Sequence, residues 1–209
     1  PKVKYQLSDS KPEESHFDML KKYELTEHMH EELMVYSKKV GIEFISTPYD
    51  PQSVIYLNKI GMKIFKTASA DIIDHQIHEE IKKTKKPVVI STGMSEISEI
   101  EETLQLYPND HEINLMHCVS NYPCQIESLN LNCLTTLRKR FNHSVGYSDH
   151  SVGNIGAILS VALGAKVIER HFTLDKNLDG PDHRASMNPK EFSHYVNEIR
   201  LAELALGDG

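Results

Sequence analysis

Two histidines at the ends of neighbouring strands are the residues of this chain best placed to do chemistry. SVGYSD (144–149) is rich in β-formers and delivers Ser148, Asp149 and His150, while KVIERHF (166–172) carries Glu169 and His171. Between them NIGAILSVALGA (154–165) is small, apolar, of helix length and closed by Gly164. Strand, crossover helix and strand form a βαβ unit, whose strands run parallel with their C-terminal ends side by side. His150 and His171 can then converge although they are distant in sequence. Paired imidazoles with carboxylates nearby and an open side suit a divalent cation. GPDH (180–183) follows in the next loop and adds Asp182 and His183 to the same face. For either histidine alone, ordinary hydrogen bonding is the plainer role; the pairing favours a metal.

The other strand ends are polar as well. They supply Lys4 and Gln6, Ser46 and Thr47, Lys66 and Ser69, Ser91 and Thr92, His117, Ser120 and Tyr122, then Ser148. Buried parallel strands should be apolar, and a lysine within one is costly unless it meets an anion or a carboxylate. Lys4 and Lys66, with the hydroxyls of Ser69, Ser91 and Ser148, suit a substrate bearing phosphate and carboxylate groups. A Schiff-base role for Lys66, as in barrel aldolases, is the rival reading. Cys118 beside His117 has no base-and-orienter arrangement around it and reads as a buried thiol.

The elements that must position these residues alternate. Strands are predicted at 3–7, 42–48, 62–69, 87–92, 112–118, 144–149 and 166–173. Helices are predicted between them. HFDMLKKYELTEHMHEELMVYSKKVG (16–41) should break near Leu25 and restart behind Thr26 as cap, ending at Gly41. Pro51 opens another helix, Ser95 or Ser98 caps the helix at 95–107, and Asn188 with Pro189 starts the last. Regular β/α alternation over seven units is one short of a (β/α)8 TIM barrel. The opening VKYQL suggests that the first β/α unit is the one lacking, with residues 1–209 as a single barrel domain. An open doubly wound sheet is weaker, because no glycine-rich phosphate loop follows the first strand.

Composition narrows the class. A formal net charge of −7 without a basic patch argues against nucleic acid as partner, and KKTKKP (82–87) reads as a solvated helix end. No apolar run approaches the roughly 20 residues of a membrane span. Three cysteines without CxxC spacing fit a reducing, cytoplasmic setting.

The motifs VKYQ, FISTPYD, FKTAS, PVVISTGMSEISEI, MHCVSNYP, VGYSDHSVG, GAKVIERHFTLD and GPDHRAS, in order along nearly the whole chain, resemble the N-acetylneuraminate (sialic acid) synthase family. That family includes legionaminate, pseudaminate and spore-coat polysaccharide synthases. The resemblance implies a metal-dependent condensation of phosphoenolpyruvate with N-acetylmannosamine or a related amino sugar, giving a nonulosonic acid and phosphate. It implies Mn²⁺, with Mg²⁺ or Co²⁺ as substitutes, on His150 and His171. It places phosphoenolpyruvate on Lys4, Lys66, Ser69, Ser91 and Ser148. It places the sugar by Gln6, Tyr122 and Asp182, with Thr47 and Ser120 close by and Asp182 also a candidate for handling a proton. Such enzymes are commonly homodimers. The family's N-terminal strand with its AEIG-type motif and its C-terminal antifreeze-like domain are missing from this sequence, so an inactive truncated barrel is a third reading.

Overall fold

The computed structural model describes residues 15–208. They fall into two compact units. One takes the described part of Pro1–Phe44 together with His171–Ser193; the other takes Ile45–Arg170 together with His194–Gly209. The predicted strand at 3–7, with Lys4 and Gln6, lies outside the described residues.

In the first unit, α1 (His16–Tyr23) and α2 (Glu27–Val40) are separated where the sequence predicts a break. Thr26 has extended backbone and its hydroxyl accepts from the Met29 N–H at 3.2 Å. Gly41 closes α2 at φ 77°, a left-handed cap that costs glycine nothing.

The second unit is a parallel sheet: β1 (Phe65–Thr67), β2 (Val88–Ser91), β3 (Ile113–Cys118), β4 (Ser144–Asp149) and β5 (Val167–Arg170), hydrogen-bonded in sequence order. Helices α3 (Pro51–Lys59), α4 (His75–Thr84), α5 (Ile97–Gln105), α6 (Asn132–Phe141) and α7 (Ile155–Ala162) alternate with the strands, and α8 (Pro189–Leu206) closes the chain. Every residue of the middle strand β3 is buried, as expected for a parallel strand covered on both faces. Phe65, Ile90, Leu115, Val145, Leu134 and Ile77 are at most 1% exposed and form its core. Burying each contributes roughly 1.5–3 kcal/mol.

Sequential strand order rules out the doubly wound alternative, whose order reverses at a switch point. The sheet is also curled. Lys66 on β1 meets Glu169 on β5 at 3.3 Å, although three strands stand between them. In a flat sheet those strands would be about 19 Å apart at the usual spacing. Strands arranged round a common centre bring them together, as in the wall of a β/α barrel.

Two expectations fail. Residues 42–48 form no ladder among the described residues, and Ile42 and Ile45 are 67% and 42% exposed. The cap of α5 is Glu96, with the Glu99 carboxylate taking the Glu96 N–H at 2.7 Å, rather than Ser95 or Ser98. No helix of the described residues is long and apolar enough to cross a membrane.

One packing feature of this unit carries a pH dependence. His78 on α4 is fully buried, and its Nδ1 lies 2.8 Å from the Tyr107 hydroxyl. Burial pushes its pKa down to about 4. The unfolded chain takes up a proton near pH 6.5 while the fold refuses it until about pH 4. This contribution is complete above pH 6.5, is lost as pH falls through that window, and amounts to about 3 kcal/mol. Urea midpoints at pH 7 and 4.5 should therefore fall further for the wild type than for His78→Gln; parallel profiles would refute the assignment.

Candidate active site

The C-terminal ends of the five strands carry the polar residues singled out above. β1 alternates: Phe65 and Thr67 are buried, and Lys66 between them is only partly covered. Its ammonium pairs with Glu169 Oε2 at 3.3 Å, and the Ser148 hydroxyl donates to Glu169 Oε1 at 2.7 Å. Ser148 Oγ also lies 3.1 Å from His150 Nε2. The His150 Nδ1–H donates to the Val119 carbonyl at 2.7 Å. Lysine, carboxylate, hydroxyl and imidazole thus form one hydrogen-bonded line from β1 across β5 to β4.

A second group stands beside it. Ser69 Oγ accepts from the Gly93 N–H at 3.0 Å and lies 3.2 Å from Cys118 Sγ. A Cβ on Gly93 would come within 2.7 Å of Cys118 Sγ, 2.8 Å of Ser69 Oγ and 2.9 Å of Ser120 Oγ. Only glycine lets the turn after β2 approach this closely. Ser91, at the end of β2, is 3% exposed. The Tyr122 ring packs on the His150 ring with centroids 4.1 Å apart. Burial pushes the Cys118 thiol up, so it stays protonated and is no nucleophile.

The structure therefore brings together Lys66, Ser148 and His150 in one line and Ser69 with Ser120 beside Gly93. Thr47 lies before α3, half-buried, without a ladder to fix it. His171 and Asp182 belong to the first unit, where His171 Nδ1 is 3.9 Å from Asp182 Oδ2. There Asp182 Oδ1 is buried and has no hydrogen-bond partner among the described residues, and His183 Nδ1 lies 2.7 Å from the Thr173 hydroxyl. His117 proves structural: Nε2 donates to the Leu129 carbonyl at 2.8 Å, the ring stacks on Tyr147, and burial lowers its pKa.

Sequence reasoning placed Glu169 at a strand end among the carboxylates near the paired histidines but gave it no role, although it is the centre of the hydrogen-bonded line. The signal was present: a lysine in one strand calls for a carboxylate, and Glu169 stands in another. Among the described residues no three His, Cys, Asp or Glu side chains form a metal cage. His150 nevertheless has the chemistry of a ligand. Its Nδ1 proton is committed to a carbonyl, which points the Nε2 lone pair toward Ser148. Ser148 has one proton, and both Glu169 Oε1 and His150 Nε2 lie within reach of it.

The model of the NeuB family matches residues 1–209. The N,N'-diacetyllegionaminic acid synthase of Campylobacter jejuni subsp. jejuni serotype O:2 is 42% identical over 212 residues, covering 100% of this chain and 64% of that protein. The crystal structure of N-acetylneuraminic acid (sialic acid) synthetase from Leptospira borgpetersenii serovar Hardjo-bovis, in complex with citrate, matches with TM-score 0.88 and 35% identity, over 92% of this chain and 68% of that one. A truncated 3-deoxy-D-arabino-heptulosonate 7-phosphate synthase from Thermotoga maritima, at 18% identity and TM-score 0.75, covers 88% of this chain and 74% of its own, and shares the fold alone. The chain spans about three-fifths of the length of the curated relatives it matches.

Proposed function

The chain belongs to the NeuB family, and on that premise we propose that it is the synthase core that joins phosphoenolpyruvate to an N-acetylated amino-sugar aldehyde. The products are a nonulosonic acid and phosphate. The observation that carries this reading is the line Lys66–Glu169–Ser148–His150 at the strand ends. The wider proposal is a (β/α)8 barrel enzyme of the cytoplasm, homodimeric at full length.

Phosphoenolpyruvate brings two anionic groups to a site with a partly covered ammonium and several hydroxyls. Lys66 Nζ binds the phosphate, and Ser69, Ser91 and Ser148, with Lys4, orient phosphate and carboxylate. An arriving anion competes with Glu169 for Lys66. Glu169, released from the ammonium, still accepts from Ser148 and can take a proton at Oε2. The enol carbon C3 attacks the aldehyde carbon and C2 becomes cation-like. Water adds at C2 and its proton goes to the alkoxide left on the former aldehyde oxygen. The C2 hydroxyl then becomes the ketone as the C2–O bond to phosphate breaks, and its proton leaves with the phosphate. Charge develops beside Lys66 and Glu169, where a fixed, partly desolvated environment stabilises it most. Tyr122 beside His150, with Gln6, Thr47, Ser120 and Asp182, lines the sugar side of the proposal.

A divalent cation, Mn²⁺ before Mg²⁺ or Co²⁺, is part of the proposal, with His150 and His171 as its protein ligands. The committed Nδ1 proton of His150 supports this choice. When bound, such an ion polarises an aldehyde oxygen as a Lewis acid.

The aldolase alternative needs a free amine at Lys66. Its Nζ instead lies 3.3 Å from the Glu169 carboxylate, an arrangement that suits holding an anion better than attacking a carbonyl. The test is phosphate release from phosphoenolpyruvate with a panel of N-acetylated amino sugars, with and without Mn²⁺ after chelation. Release that requires both sugar and metal is expected. Borohydride trapping of pyruvate or substrate on Lys66, or release indifferent to every sugar, would overturn the reading.

A further inference from the structure

The face of β4 and β5 opposite the site holds a buried charge pair that the reaction itself does not use. Side chains alternate along a strand, so successive register pairs of β4 and β5 face opposite ways. The pair Ser148 and Glu169 faces the site. The next pair, Asp149 and Arg170, faces the helices. Asp149 is 1% exposed and the Arg170 side chain 6%.

Asp149 is saturated. Its Oδ1 accepts from the Ser151 N–H at 2.9 Å, the Ser151 hydroxyl at 2.7 Å and the Tyr147 hydroxyl at 3.2 Å, and lies 3.2 Å from Arg170 Nη1. Its Oδ2 accepts from Tyr195 on α8 at 2.9 Å. Arg170 Nη1 donates to the carbonyls of Asp149 at 3.0 Å and Ser151 at 2.6 Å. Those are the residues on either side of His150. The carbonyl of His150 itself accepts from the Cys124 N–H at 2.7 Å. Three successive carbonyls at the end of β4 are therefore tied down, two of them by one guanidinium.

A buried ion pair is a poor way to gain stability, since apolar residues of similar volume often do better. One guanidinium nitrogen, Nη1, donates to both carbonyls and so fixes the backbone on either side of His150, and a lysine ammonium on its shorter stem cannot take that place while reproducing the guanidinium over the Tyr195 ring. We propose that Asp149 and Arg170 are positioning residues, which lock residues 149–151 from behind and so set where Ser148 and His150 meet Glu169. This rests on the reading of the site given above.

The test compares wild type with Arg170→Lys and with the double variant Asp149→Leu/Arg170→Met. The readouts are thermal midpoint, Mn²⁺ affinity without substrates, and kcat and KM for phosphoenolpyruvate. Arg170→Lys should raise that KM and the Mn²⁺ dissociation constant by about 10–100-fold, the usual cost of losing an outer partner. The double variant should recover the thermal midpoint yet keep both defects. A merely structural role would lower kcat with the folded fraction and leave KM and Mn²⁺ affinity unchanged. That result, or wild-type values in the double variant, overturns the proposal. A wild type that neither binds Mn²⁺ nor releases phosphate sinks the reading of the site itself, and this proposal with it.

Discussion

Lys66→Met should reduce kcat/KM for phosphoenolpyruvate by about 10³-fold while leaving the protein folded. The ammonium does two jobs at once. It carries the positive charge nearest to Glu169, and it is the only cationic side chain bonded into the line of polar groups among the described residues. Removing one member of a desolvated charge pair commonly costs 2–5 kcal/mol, and about 4 kcal/mol corresponds to that factor. Methionine keeps most of the length and none of the charge, so packing survives. Glu169 retains its bond from Ser148 and is about a third exposed, which limits the damage to stability. Without Lys66 its carboxylate also repels the incoming phosphate. The loss should therefore appear mostly in KM. Lys66→Arg should recover part of it, since the charge returns in a different shape. Steady-state phosphate release decides the matter: activity within threefold of wild type would remove Lys66 from the site.

The reason Lys66 could be picked from sequence is that it broke a rule. A buried parallel strand has no use for a lysine, so its presence needed an anionic partner. The same logic did not reach Glu169, because glutamate in the half-buried strand β5 offends less. Nor could any sequence pattern state that β1 and β5 curl toward each other; that follows from how the sheet closes. Helix ends were legible where chemistry is local. Thr26, Gly41 and Asn188 act as caps because a side chain or a left-handed turn answers orphaned backbone groups within a few residues. Residues 42–48 have a composition that suits a strand, yet among the described residues they form no ladder, because β-propensity reports a fit to a pleated, half-buried surface and not a pairing. His117 and His150 looked alike at strand ends. They separate only in three dimensions, where the Nε2 of one is spent on the Leu129 carbonyl and the Nε2 of the other meets Ser148.

That contrast supports the second large effect. His150→Ala should weaken Mn²⁺ binding by at least about 100-fold, because losing a mere outer partner of a ligand already costs 10–100-fold. The substitution also removes one of two donors to the Val119 carbonyl, which keeps the Asn121 N–H at 2.8 Å, and removes the ring on which Tyr122 packs. Losing one hydrogen bond together with the ring packing costs on the order of 1 kcal/mol, so the thermal midpoint should drop by about 2–4 °C. Stability loss alone must not be mistaken for loss of a ligand. His117→Gln provides the comparison, since it disturbs an equally buried ring that donates to a carbonyl. It should lower the midpoint similarly and leave Mn²⁺ affinity within a few fold of wild type. If both variants bind Mn²⁺ as tightly as wild type by calorimetry, His150 is a structural histidine. The Lys66–Glu169–Ser148 line would then have to polarise the aldehyde without it.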